Sequence, residues 1–298
     1  MADFGLVNVP QDAPGDDRLS RYRHVLEMLP PEFTTLWVDD HLQFGERPVM
    51  EGWTILTYLA ALYPRFKVGH LVLCQSFRNP ALLAKMAATL QHLSGGRYIL
   101  GIGAGWNEEE YTGYGLDYPR GGIRVEQLAE AIEVIRAMWT ESPATYHGEH
   151  YRIDGARCEP RPDPPPPIMV GTNGPKALRV TARLADWWNW DASWEHVYRR
   201  PYEILRGHCE EIGRPFEEIT LTAGMSVWFP EDVSTFERTF EHAAYPGQVF
   251  DVVGPTPEDA IAEIEQLKSV GVAHFQVAFE DMATMRRFVD EVLPAVSR

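Results

Sequence analysis

The chain has 298 residues, 45% of them hydrophobic, which is enough for two ordinary domains or for one α/β barrel. Its net charge of −16 disfavours nucleic acids and anionic membrane surfaces as partners. Cys74, Cys158 and Cys209 are too widely spaced to indicate a disulfide framework or a zinc site, and neither a signal peptide nor a membrane-spanning run is recognisable, so we expect a cytoplasmic protein.

Strands and helices are predicted to alternate along the chain. Strands are predicted at residues 4–9, 34–39, 67–73, 98–102, 168–171, 185–191, 219–227 and 272–279. Helices are predicted at residues 19–28, 53–63, 80–93, 123–139, 175–184, 197–212, 232–242, 257–270 and 282–292. Residues 146–154 are predicted to form an inserted hairpin, and the proline-rich run 160–167 leads directly into the fifth strand.

These units predict the fold class. Eight strand–helix units, with strands that are apolar on both faces, favour one (β/α)8 TIM barrel over residues 1–298, with an inserted segment between Glu141 and Pro167. The alternative is an open, doubly wound sheet. That fold would more naturally carry a GxGxxG motif in its first turn, and residues 9–12 contain none.

Asp40 and His41 follow the second predicted strand, at the end where parallel barrels place their active sites. The neutral-range titration of histidine suits His41 as a general acid or base, and Asp40 would orient the ring or raise its basicity. In the alternative interpretation, Asp40 caps the next segment and His41 fills a loop. The turns after the fourth and fifth predicted strands, described below, also have residues typical of ligand binding, and this favours the catalytic interpretation.

A glycine-rich turn follows the fourth strand. Gly103 and Gly105 permit close approach of the backbone to a ligand, with Trp106 beside it, although such a turn can also be a packing corner. The acidic triplet of residues 108–110 is interpreted as a solvated first helical turn rather than as catalytic acids.

The turn after the fifth strand consists of Gly171, Thr172, Asn173 and Gly174, and Pro175 then begins a helix. Exposed backbone N–H groups and the positive end of that helix would favour a phosphate. A tight turn with a polar cap is the alternative.

Aromatic residues near these turns could wall a planar ligand or an apolar substrate. They are Phe44, Trp106, Tyr111, Trp188 and Trp190. Trp187 and Trp188 are adjacent and cannot face the same way, so at least one is expected in the core. The histidine spacings do not indicate a metal site.

Several motifs along most of the chain resemble, in their order and spacing, those of the bacterial-luciferase-like family of flavin and deazaflavin oxidoreductases. These motifs are residues 37–41, 79–85, 93–97, 101–111, 171–178 and 185–189, together with Arg124. The resemblance implies a (β/α)8 barrel with a flavin or coenzyme F420 ring at its mouth and the cofactor phosphate in the turn at residues 171–174. It also implies a non-proline cis bond at Leu71–Val72 and a homodimer.

The Asp40–His41 pair is most similar to the deazaflavin-using branch, in which that histidine acts as an acid or base near the ring. The resemblance therefore implies hydride transfer between coenzyme F420 and an organic substrate. The alternatives are an FMN-dependent monooxygenase of the same fold and a non-catalytic flavin-binding protein. Sugar-phosphate dehydrogenases of this family carry a glutamate where Trp106 stands, so a sugar-phosphate substrate is not expected. Trp106, Phe44 and Trp190 suggest an apolar or aromatic substrate instead.

Overall fold

The computed structural model describes residues 2–43, 45–46, 48–241 and 249–297. Within them, strands β1–β13 are Asp3–Val7, Phe33–Val38, Lys67–His70, Leu73–Cys74, Tyr98–Gly103, Ala144–His147, Arg152–Ala156, Ile168–Gly171, Trp187–Asp191, Thr220–Val227, Thr239–Glu241, Val249–Val253 and Val272–Phe279. Helices α1–α10 are Arg18–Met28, Gly52–Leu62, Pro80–Leu93, Glu108–Gly113, Gly121–Thr140, Pro175–Leu184, Arg199–Ile212, Pro257–Ser269, Met282–Arg287 and Leu293–Val296.

Among the described residues, eight parallel strands alternate with helices, and the chain has the predicted (β/α)8 barrel fold. The eight are β1, β2, β3, β5, β8, β9, β10 and β13. The predicted strand around residues 67–73 is divided into β3 and β4, and the cis bond between Leu71 and Val72 lies at the break.

Two compact units can be distinguished. The first consists of Met1–Trp37, Asn189–Tyr202 and Thr220–Arg298. In this unit β13 pairs in parallel with β1 and with β10. Phe4 and Phe275 are register partners whose rings stack at 5.6 Å between centroids, and both are fully buried. Apolar side chains of this kind form the core of the first unit.

The second unit consists of Val38–Trp188 and Glu203–Ile219. Here β5 pairs in parallel with β3, β4 and β8. The inserted hairpin is confirmed as β6 and β7, which pair antiparallel. The Glu130 carboxylate accepts backbone bonds of 2.8–2.9 Å from Glu149, His150 and Tyr151, and so ties the hairpin loop to α5. The C-terminal ends of β3, β5 and β8 carry most of the predicted site residues.

The helix predicted at residues 232–242 is wrong. Asp232 accepts a bond from the backbone N–H of Ser234, but it caps only a 3₁₀ turn at Val233–Thr235. The chain then enters β11, which pairs antiparallel with β12. The spacing of apolar residues imitated a helix, whereas this segment is rich in Thr, Val and Phe, which favour strands. His242 lies outside the described residues.

Candidate active site

His41 follows β2, and residues after β5 hold its ring from two directions. Its Nδ1 atom lies 3.1 Å from both carboxylate oxygens of Glu110. The indole of Trp106 meets the ring edge-on, with 5.7 Å between ring centroids and an interplanar angle of 82°. The His41 side chain is 19% exposed and that of Glu110 is 3% exposed, so an accessible imidazole rests on a buried carboxylate. This arrangement suits a general acid or base.

Glu110 differs from the expectation for the acidic triplet. Glu108 and Glu109 are exposed, as predicted, but Glu110 is buried. Its Oε1 atom accepts backbone bonds from Leu42 at 2.6 Å and from Gln43 at 3.3 Å. The prediction of a solvated turn is therefore wrong for Glu110. The residue type gave no signal for this, because the direction of α4 determines which of the three carboxylates faces inward.

Asp40 does not bond to its neighbour His41 in the way that the sequence predicts. Its oxygens accept bonds of 2.7 and 2.8 Å from the guanidinium of Arg78, and Oδ2 accepts the backbone N–H of Cys74 at 3.0 Å. Arg78 also lies 2.5 Å from Glu51. Burial raises the pKa of the Asp40 carboxyl, and the bonds from Arg78 and Cys74 oppose this rise. The prediction that Asp40 orients His41 is wrong, since the carboxylate bonded to that ring belongs to Glu110.

The non-proline cis bond predicted at Leu71–Val72 is confirmed. The Val72 side chain projects between the ends of β5 and β8. A Cβ atom on Gly103 would lie 2.9 Å from Val72 Cγ2, and one on Gly171 would lie 2.9 Å from Val72 Cγ1. Both glycines are therefore needed to accommodate Val72. The structure brings these predicted cofactor residues together at one end of the parallel strands.

Gly105 has a φ of +77°, a conformation that glycine adopts without strain. A Cβ atom there would meet the Tyr111 hydroxyl and would lie 2.6 Å from Cys74 Sγ. Tyr111 is fully buried, and its hydroxyl is 3.0 Å from the same sulfur. The structure thus places Tyr111 in the packed interior rather than on the wall of an open substrate pocket, because its ring fills the space beneath the glycine turn.

The turn at residues 171–174 joins β8 to α6. Gly174 is the N-cap of α6 and has no side chain to bond the first N–H groups, and a Cβ atom placed on it would meet nothing within 4 Å. Lys176 lies just inside the helix, but its Nζ donates to Gly122 O at 3.0 Å and contacts Glu126 at 2.5 Å. An uncapped helix start beside open space fits a phosphate, which would be bound by backbone N–H groups rather than by this lysine.

The remaining predicted aromatic residues are dispersed. Trp106 is 39% exposed, whereas Trp188 is fully buried and donates its Nε1–H to Thr172 O at 2.8 Å. Trp188 therefore supports the turn after β8 from inside the core and does not line an open pocket. Trp190 is half-buried and belongs to the first unit. Phe44 lies outside the described residues.

Sequence reasoning missed Glu110, Arg78 and Glu51, which complete the network around Asp40 and His41. Throughout residues 2–43, 45–46, 48–241 and 249–297, no helix is both long enough and apolar enough to cross a membrane. In the same ranges, no group of three or more His, Cys, Asp or Glu side chains is arranged to hold a metal ion.

Comparison with known proteins matches residues 32–276 to the family described as luciferase-like monooxygenase. An F420-dependent glucose-6-phosphate dehydrogenase of Kineococcus radiotolerans is 32% identical over 206 residues, which are 66% of this chain and 60% of that protein. This chain therefore matches less than two thirds of the length of that relative.

Solved structures share the fold at lower identity. An F420-dependent secondary alcohol dehydrogenase, solved with an F420–acetone adduct, superposes with a TM-score of 0.77 at 20% identity and covers 99% of both chains. EDTA monooxygenase from Chelativorans sp. BNC1 has a TM-score of 0.77 at 13% identity, over 99% of this chain and 93% of that one.

Proposed function

The chain belongs to the luciferase-like monooxygenase family, and from this premise we propose that it is an oxidoreductase that transfers hydride between coenzyme F420 and an organic substrate. The observation that carries the proposal is the pairing of His41 with the buried carboxylate of Glu110 at the C-terminal end of a barrel strand. The relative from Kineococcus radiotolerans, whose name specifies F420, supports the choice of cofactor.

The residues present fit such a cofactor. Backbone N–H groups of the turn at residues 171–174 would bind its phosphate, because the start of α6 is uncapped. Val72, flanked by Gly103 and Gly171, would support the ring system. When bound, the deazaflavin exchanges two electrons with the substrate as hydride and activates oxygen poorly.

The chain itself must manage one proton and exclude water. His41 is the group proposed to hold that proton, because its imidazole is accessible while its Nδ1 is bonded to a buried carboxylate. Trp106 packs edge-on against the same ring and shields it from solvent on that side. These contacts keep the imidazole in one orientation for proton transfer.

We propose an apolar or aromatic substrate rather than a sugar phosphate. Trp106 is 39% exposed and packs against the ring of His41, so the accessible side chain beside the proposed acid or base is aromatic. Trp106 stands where sugar-phosphate dehydrogenases of the family carry a glutamate, which agrees with a different substrate class.

The test is to titrate the purified protein separately with F420 and FMN, and then to measure turnover with a panel of secondary and aromatic alcohols. Reduction of F420 is followed by loss of its visible absorbance, and oxygen uptake is recorded with reduced FMN. We expect tight binding and turnover with F420 alone. Productive FMN binding with oxygen consumption would identify a monooxygenase, and binding without any turnover would identify a flavin-binding protein.

We further propose that the protein is a cytoplasmic homodimer. Cys74, Cys158 and Cys209 are all buried free thiols, which agrees with a reducing compartment. Membership of the luciferase-like family, in which dimers are usual, supports the homodimer. Light scattering at micromolar concentration should give twice the chain mass of 33.8 kDa. A single-chain mass would contradict the dimer.

A further inference from the structure

The contact between His41 and Glu110 determines which ring nitrogen carries a proton. An ionised carboxylate accepts hydrogen bonds and donates none. The 3.1 Å contacts at Nδ1 are therefore made by an Nδ1–H group of the ring. In the neutral imidazole the other nitrogen, Nε2, is then the basic atom.

We propose that Glu110 is a positioning residue that holds His41 in the Nδ1–H tautomer, so that Nε2 is the atom that takes up and returns the proton. This inference rests on the proposed function, in which His41 is the acid or base. Glu110 would act only through His41 and would not touch the substrate or the cofactor.

The carboxylate is itself immobilised by the segment that it orients. Its Oε1 atom accepts the backbone N–H groups of Leu42 and Gln43, the two residues that directly follow the histidine. Because Glu110 is 3% exposed, water does not compete for these bonds. The backbone at residues 42–43 and the imidazole of His41 are therefore fixed to one carboxylate. A role limited to anchoring this loop would need only the backbone bonds and would not require the bond to Nδ1.

The substitution Glu110→Gln separates anchoring from control of the tautomer. Both Glu110 oxygens lie 3.1 Å from Nδ1, but Oε1 also accepts two backbone N–H groups, so Oε2 is the acceptor left for Nδ1–H. The glutamine must place its carbonyl oxygen at the Oε1 position to keep the two backbone bonds, which puts its NH₂ group at the Oε2 position beside Nδ1. The NH₂ group donates, so Nδ1 must then accept and the ring proton must move to Nε2. The loop anchor is retained while the tautomer is inverted.

Nuclear magnetic resonance of protein labelled with ¹³C and ¹⁵N in histidine, recorded without cofactor, reports the tautomer of His41. We expect Nδ1–H in the wild type and Nε2–H in Glu110→Gln. Turnover of the variant should fall by about 10²–10⁴-fold, as for loss of a general acid–base group. The dissociation constant for F420 should stay within threefold of the wild-type value, because the turn at residues 171–174 is untouched.

Glu109→Gln is the matched control. It removes the same charge one residue earlier in α4, where the exposed Glu109 carboxylate accepts only the Gln43 side chain, at 2.6 Å, among the bonds described. Its tautomer should match the wild type, and its turnover should stay within twofold.

An Nε2–H tautomer in the wild type would overturn the proposal, and this measurement needs no variant to fold. Wild-type turnover in a Glu110→Gln protein with an inverted tautomer would overturn it as well. Tautomer inversion in a protein that never reduces F420 would refute the proposed function while supporting the positioning role, since the spectra are recorded without cofactor.

Discussion

Removing the imidazole of His41 tests the chemistry at the residue scale. His41→Ala should lower turnover by about 10²–10⁴-fold, because the group that holds the proton is lost. Affinity for F420, measured by fluorescence quenching, should remain nearly intact. His92→Ala, which removes an exposed imidazole from the last turn of α3, is the control and should turn over normally. Wild-type turnover of His41→Ala across neutral pH would exclude His41 as the acid or base.

Arg78 balances a buried carboxylate, so its removal should destabilise the fold. Arg78→Leu leaves Asp40 without its guanidinium partner and should cost about 3–5 kcal/mol of unfolding free energy at pH 7. Burial already raises the pKa of Asp40 in the folded protein, so its ionisation opposes folding as pH increases. Removing Arg78 takes away a partner that lowers this pKa, so the pKa rises further in the variant. The deficit of the variant should therefore grow as pH rises through the raised pKa of Asp40 in the folded wild type, and shrink in acid.

Urea denaturation at several pH values measures this deficit. Arg152→Leu is the control, because Arg152 and its partner Asp154 are both exposed on the hairpin and should contribute little. A deficit in Arg78→Leu that does not change with pH would show that the Asp40 carboxylate is not its source.

The sequence predicted which residues occupy the ends of the strands, but not how their side chains pair. His41 and Gly174 could be located because strand ends and turn residues leave local signals. The partners of Asp40 and His41 could not, since Arg78 is 38 positions and Glu110 69 positions further along the chain. Such pairing depends on the directions of α4 and of the loop after β4, and no local pattern encodes those directions.

At the scale of elements, the turn between β8 and α6 can be tested by adding a charge. Gly174→Asp places a carboxylate at the uncapped start of α6 and should weaken F420 binding more than tenfold by repelling the phosphate. No atom lies within 4 Å of the added Cβ position, so the substitution should not disturb packing. Gly207→Asp is the matched control, because Gly207 lies in α7 and its Cβ position is equally open.

Isothermal titration with F420 measures both variants. The Gly207→Asp protein should bind as the wild type does. Equal affinity in all three proteins would show that the phosphate binds elsewhere. Because FMN also carries a phosphate, the Gly174→Asp protein should lose FMN affinity in parallel if both phosphates bind at this turn. That result would locate the phosphate site but would not show which of the two is the natural cofactor.

Elements bounded by strong local signals were predicted closely. The helix at Pro80–Leu93 has proline in its first turn and glycines after its end, and the structure has the predicted bounds. The segment from Asp232 to residue 241 has an N-cap signal but no such stop. Its apolar spacing agrees with a helix, yet the pairing of β11 with β12 determines the outcome. Tertiary pairing of this kind overrides local propensity.

For the whole molecule, alternation of strands and helices was sufficient to predict the barrel class, because few topologies accommodate eight such units. The substrate could not be named from the sequence, because substrate choice depends on the geometry of side chains that come together only in the folded protein. Trp106 shows the limit of the sequence evidence. Its identity is one basis for proposing a substrate other than a sugar phosphate, but its edge-on contact with His41 appeared only in the structure.

The net charge of −16 should govern how quickly an anionic cofactor associates with the protein. Long-range repulsion slows the encounter, and salt screens it beyond a Debye length of about 8–10 Å at physiological ionic strength. Raising the salt concentration from about 10 to 150 mM should therefore increase the association rate constant of F420 by roughly two- to fivefold. Stopped-flow quenching of deazaflavin fluorescence measures this rate.

The control ligand is the deazaflavin with its ribityl chain but without the phosphate and acidic tail. Its association rate should hardly respond to salt. A rate that falls with salt for F420 alone would mean that the field at the start of α6, rather than the charge of the whole chain, determines the encounter.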